Sequence, residues 1–154
     1  MNTTPLKVAV VMGSSSDQAK MSAAADLLAD FGVEATVHIM SAHRNPELVA
    51  DFARTARDQG YGVVICGAGM AAALPGVVAA HTILPVIGVP LSGSALNGVD
   101  ALYATVQMPR GVPVASVAID GASNAALLAI EILAVADSDL ADKLVAYRRQ
   151  WVAP

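Results

Sequence analysis

The stretch "KVAVVMGSSSDQAKMSAAADLLADFG" (Lys7–Gly32) decides how the rest of the chain folds. Lys7–Met12 is a short β-branched run ending at Gly13, as expected of a parallel strand covered on both faces. Three serines intervene. From Asp17 to Phe31, Met21, Ala24 or Ala25, Leu28 and Phe31 recur at three- and four-residue spacing, which predicts a helix, and Gly32 supplies its stop. Ser15 and Gln18 have the spacing of a capping box.

The same order continues outward. A second strand is expected at about Glu34–Met40 and a helix at Pro46–Gln59, with proline in its first turn and Gly60 at its end. Tyr61–Cys66 reads as the third strand, followed by a short helix through His81, and Pro85–Val89 as the fourth. Val99–Met108 has helical spacing, Val114–Ile119 reads as strand five, and an alanine-rich helix covers Asn124 to about Ala136. Asp139–Trp151 resembles a terminal amphipathic helix. Alternating strands and helices imply right-handed βαβ units and a parallel sheet between helical layers. With no linker, repeat or low-complexity tract, residues 1–154 are expected to form one three-layer α/β/α domain.

Hydrophobic residues make up 55% of the 154 and charged residues 14%, against about 45–50% and about 25% in ordinary soluble domains. Between Asp58 and Asp100 there is no Asp, Glu, Lys or Arg. Glycines and prolines cut that stretch into pieces well short of the roughly 20 residues a spanning helix needs. The economical reading is a subunit that buries apolar surface against copies of itself. A net charge of −4 and a pI near 5.1 give no basic patch for nucleic acid and no polybasic membrane anchor. "MNTTPLKVAVVMG" leads into the first strand without a signal peptide. A lone Cys66 excludes an internal disulfide and a cysteine-rich metal cluster, so a reducing cytoplasm is the expected compartment.

In open parallel sheets, ligands bind beyond the carboxyl ends of the strands. That rule selects Gly13–Asp17, Ser41–Asn45 and Gly67–Gly76. The first offers three hydroxyls, a glycine and a helix N-terminus, which suit a phosphate; Asp17 would repel a close phosphate but accept hydrogen bonds from ribose hydroxyls. The same residues could equally do no more than cap the helix. The segment lacks the second glycine and the lysine of a P-loop. "GAGMAA" from Gly67 has the first two glycines of the dinucleotide fingerprint, but Ala72 stands at the third and no acidic residue follows about twenty positions on. That argues against NAD.

"SAHRNP" (Ser41–Pro46) places Arg44, a planar fork suited to phosphate or carboxylate, beside His43, the side chain most readily poised to move a proton near neutral pH. In a loop both can turn towards one ligand. The competing reading pairs Arg44 with a surface carboxylate and leaves His43 to a backbone group. Cys66 ends an apolar strand and reads as core. His38 and His81 have no second ligand at metal spacing, and no metal is expected. Asp137, Asp139 and Asp142 suit a solvated helix entrance; Arg148 and Arg149 suit its far end.

Over nearly its whole length the chain resembles the AIR carboxylase family, whose bacterial members are N5-carboxyaminoimidazole ribonucleotide mutases of purine synthesis. The shared elements are "VMGSSSD" (Val11–Asp17), "SAHRNP", "GAGMAAALPG" (Gly67–Gly76), "PVIGVP" (Pro85–Pro90), "VQMPRGVPV" (Val106–Val114) and "NAALLA" (Asn124–Ala129). The resemblance implies a flavodoxin-like, doubly wound fold with a C-terminal helix and a carboxyl shift without metal or organic cofactor. It implies His43 as general acid and base, with Ser14, Ser16, Ser41 and Arg44 on the phosphate and Asp17 on the ribose. Small residues around Gly67–Ala72, Gly69 and Ala71 among them, would close over the carboxylate, and the subunits would form octamers. The family's loop usually reads GAGGAAHLPG, so Met70 and Ala73 depart from it. A paralogue acting on a related heterocyclic ribonucleotide, or a nucleotide-binding module without catalysis, are the alternatives.

Overall fold

In a computed structural model, which describes residues 7–152, β1 is Lys7–Met12 and α1 is Gln18–Asp30, joined through a single 3-10 turn at Ser15–Asp17. Then follow β2 (Ala35–Ile39), α2 (Pro46–Thr55), β3 (Tyr61–Gly69), α3 (Ala73–His81), β4 (Val86–Leu91), α4 (Val99–Val106), β5 (Ala115–Ser116), α5 (Ala122–Ala134) and α6 (Ser138–Arg148). Residues 1–6, where the sequence is expected to lead in without a signal peptide, lie outside the described residues.

All five strands are parallel, in the order β2-β1-β3-β4-β5. This is the flavodoxin-like order, in which the chain winds first to one side of β1 and then to the other. The alternation of side chains across each strand divides the interior in two. Val8, Val10 and Met12 join Ile65, Ile87 and Val89 against α1, α5 and Leu140 of α6. Ala9 and Val11 join Val64, Cys66 and Val86 against α2, α3 and Ala101 of α4. Strands β1, β3 and β4 are buried almost throughout, which explains their near-continuous apolar sequences.

Several expectations shift: α2 ends at Thr55, short of the expected Gln59, with a turn carrying the chain to Gly60, and β4 is Val86–Leu91 instead of Pro85–Val89. The capping box uses Ser14 and Asp17 instead of Ser15 and Gln18: the Ser16 N–H donates to Ser14 Oγ, and the Ser14 N–H donates to Asp17 Oδ2. Strand β3 runs on through Gly69, because its small residues still pair with β4 as far as Leu91. Strand β5 shrinks to Ala115–Ser116, the two residues that stay in register with Ile87 and Gly88 of β4. Gly32 and Gly60 stand in the left-handed region (φ 75° and 88°) where the chain leaves α1 and the turn after α2.

Candidate active site

The three loops singled out in the sequence meet at the carboxyl end of the sheet, around a cleft of about 610 Å³. Adjacent parallel strands β1, β2 and β3 each end there, so residues far apart in the chain become neighbours. Ser14, Ser16 and Asp17 come from the first loop, Ser41, His43 and Arg44 from the second, and Gly69 and Ala71 from the third; all line the cleft.

The first two loops are tied together. Arg44 reaches back to donate from Nη2 to the Gly13 carbonyl at 3.2 Å, and its Nε donates to Ser41 Oγ at 3.4 Å. The Arg44 N–H also donates to Ser41 Oγ, and the Ser41 N–H donates to Asn45 Oδ1 at 2.6 Å. The guanidinium is therefore held at the rim beside the serine hydroxyls, in a setting suited to a dianionic phosphate. Ser16 Oγ donates to Ser14 Oγ at 2.9 Å, which clusters two hydroxyls near the start of α1. His43 is exposed at the same rim.

Asp17 feels the charges of Lys20 and Arg44. Burial raises its carboxyl pKa, and the Ser14 N–H with the Lys20 and Arg44 charges offsets this only in part. Its ionised form therefore costs stability at neutral pH, a cost relieved as the pH falls through its folded pKa.

The third loop is apolar. Met70 (φ 55°) and Ala72 (φ 39°) both occupy the left-handed region, and the Ala72 N–H bonds to the Gly69 carbonyl at 3.0 Å. Met70 is 66% exposed. Gly67 serves packing, not the cleft: a Cβ there would lie 2.4 Å from Met21 Sδ. Ala68, Leu74 and Leu91 give the cleft an apolar floor.

A fourth loop was not read from the sequence. Ser92, Gly93 and Ser94 follow β4 and also line the cleft, as does Lys20. The strand-end rule applied to β4 would have found the loop, and Lys20 stands three residues after Asp17, on the same helix face.

The other candidates lie elsewhere. Cys66 is fully buried and burial pushes its thiol far up, so it is inert. His38 sits within hydrogen-bonding distance of Thr36 Oγ1 (2.9 Å) and the Tyr61 hydroxyl (3.1 Å); burial, helped by the Lys7 charge, lowers its pKa. His81 Nδ1 faces the Val77 carbonyl at 2.8 Å. Asp137 caps α6 by accepting from the Leu140 N–H, and Arg148 pairs with Glu131. Among the described residues no three His, Cys, Asp or Glu side chains are grouped to hold a metal, and no helix is long and apolar enough to cross a membrane.

A family model described as AIR carboxylase matches residues 7–153. An N5-carboxyaminoimidazole ribonucleotide mutase from Pyrococcus abyssi is 54% identical over 142 residues, covering 92% of this chain and 82% of that protein. A protein of the same name from Escherichia coli K12 is 51% identical over 147 residues, covering 94% and 87%. The crystal structure of Treponema denticola PurE superposes with a TM-score of 0.85 at 32% identity, covering 93% of this chain and 89% of that one.

Proposed function

This chain belongs to the AIR carboxylase family, and from that membership we propose that it is an N5-carboxyaminoimidazole ribonucleotide mutase of purine biosynthesis. It moves a carboxylate from the exocyclic nitrogen N5 to the neighbouring ring carbon C4. One observation carries this reading: His43, Arg44 and Asp17 stand at one cleft with the serines and the Gly69–Ala71 backbone, although they come from three separate strand ends.

Ser14, Ser16, Ser41 and Arg44 hold the phosphate, and the Asp17 carboxylate accepts hydrogen bonds from the ribose hydroxyls. That leaves the imidazole ring of the substrate towards His43 and the Gly69–Ala72 loop. Protonated His43 donates a proton to N5 as the N–C bond breaks; the bonding pair stays on nitrogen and CO2 is released. The C4 carbon, nucleophilic as an enamine carbon, then attacks CO2. Neutral His43 takes the C4 proton, the ring regains aromaticity, and the histidine ends protonated as it began. The apolar floor and the close backbone of Gly69 and Ala71 exclude water and retain CO2 between the two steps. No metal or organic cofactor takes part.

Residues 1–154 act as one AIR carboxylase-like domain, in the cytoplasm, assembled as a homo-octamer. Ile83 and Val135, 80% and 89% exposed in the single subunit, support burial against further copies; light scattering reads the assembly mass directly. No nucleic acid or membrane is a partner.

Met70 and Ala73 favour a second reading, in which the cleft takes a related heterocyclic ribonucleotide, because both line the site. The test is direct. The protein is incubated with N5-carboxyaminoimidazole ribonucleotide and the C4-carboxylated product is followed. Turnover supports the mutase; binding without turnover supports the second reading or a binding module.

A further inference from the structure

Ser92, at the start of the loop after β4, takes no part in the steps above, yet its N–H, its carbonyl and its hydroxyl are all engaged by two charged side chains. Lys20 on α1 donates to the Ser92 carbonyl at 2.8 Å and to its Oγ at 2.6 Å. Asp120, beyond β5, accepts from the Ser92 N–H at 2.9 Å and from the Ser92 hydroxyl. Lys20 Nζ and Asp120 Oδ1 are 3.4 Å apart. Asp120 is itself fixed: it stands at φ 58°, and its N–H donates to the Pro90 carbonyl at 2.8 Å.

An exposed ion pair alone contributes little. Here, however, two segments remote in sequence converge on one residue of the cleft wall, through hydrogen bonds to charged groups. Two Lys20 N–H groups are directed at Ser92 and its ammonium is paired with Asp120, so the side chain is committed to the loop. At the other end of the same short loop, Ser94 Oγ donates to the Asp100 carboxylate at 3.3 Å.

We propose that Lys20 and Asp120 form a positioning pair that locks Ser92–Ser94 as the fourth wall of the substrate cleft. The inference rests on the ribonucleotide reading of that cleft. A preformed wall acts on bound substrate and transition state alike, so its loss raises KM and leaves kcat nearly unchanged.

The test compares Lys20→Met, Lys20→Arg, Asp120→Asn and the Met/Asn double variant. Steady-state kinetics are run alongside calorimetric titration with aminoimidazole ribonucleotide and its C4-carboxylated form. Lys20→Met is expected to raise KM about tenfold, the weight of roughly one hydrogen bond to a charged group. Both ligands should weaken alike and kcat should stay within about twofold, as for lost uniform binding. Lys20→Arg should restore most of the loss, and the double variant should be no worse than the worse single variant, since the two residues act as a unit. Thermal melting confirms that each variant folds. Unchanged KM in Lys20→Met, additive losses in the double variant, or weakening confined to the carboxylated ligand would each overturn the positioning role. A wild type that neither binds nor converts ribonucleotide overturns the functional reading instead, and is seen without any variant.

Discussion

The loops after β1 and β3 face the same cleft and are held in opposite ways. Gly13–Asp17 is polar and internally satisfied: Ser14 Oγ accepts from the Ser16 N–H, Asp17 Oδ2 accepts from the Ser14 N–H, and the Arg44 guanidinium bonds to the Gly13 carbonyl. Gly69–Ala72 has no side-chain hydrogen bond, and two of its non-glycine residues sit in the left-handed region. The first loop is ordered by hydrogen bonds that a ligand can share. The second is held in an unfavourable conformation by the strand before it and the helix after it, an arrangement that presents bare backbone to the cleft.

Three substitutions bear on that contrast. Arg44→Ala should weaken ribonucleotide binding by about 1.5–3 kcal/mol, the scale of a charge-assisted hydrogen bond; an unchanged calorimetric affinity would remove Arg44 from the phosphate. Gly67→Ala should cost about 1–3 kcal/mol of stability by overpacking, because the added methyl meets the buried Met21 side chain. Urea unfolding measures it, and a neutral result would mean that Met21 repacks freely. Met70→Gly is the smallest effect and the only gain: relieving a left-handed methionine should add ~1 kcal/mol, net of the greater freedom of glycine in the unfolded chain. Loss of stability in that variant would show that Met70 packs productively at the cleft mouth, and the contrast between the loops would fail.

Much of this arrangement is legible in the sequence because it rests on short-range signals. The boundaries of β1 follow from a β-branched run stopped by glycine, and the three loops follow from where strands end. The His43–Arg44 pair stands out because two polar, chemically able side chains interrupt an apolar chain. The remainder depends on long-range geometry. The tail of β3, Gly67–Gly69, looks like a loop until β4 is found to pair with it. Strand β5 looks longer than its two residues because pairing with β4 limits it, not propensity. The spacing of Lys20 from Asp17 points it towards the cleft, but its partners do not show in the sequence: Ser92 lies 72 positions away, and Asp120 further still.

The central claim is that the His43 imidazole moves the proton in a carboxyl shift within a cleft that binds the ribonucleotide by other groups. Replacing it in His43→Asn and measuring binding and turnover side by side tests this most directly. Calorimetric affinity for the ribonucleotide should stay within about threefold while turnover falls at least ~10²-fold, the usual weight of a general acid–base group. Turnover that survives in His43→Asn, or affinity that collapses with it, would contradict the claim.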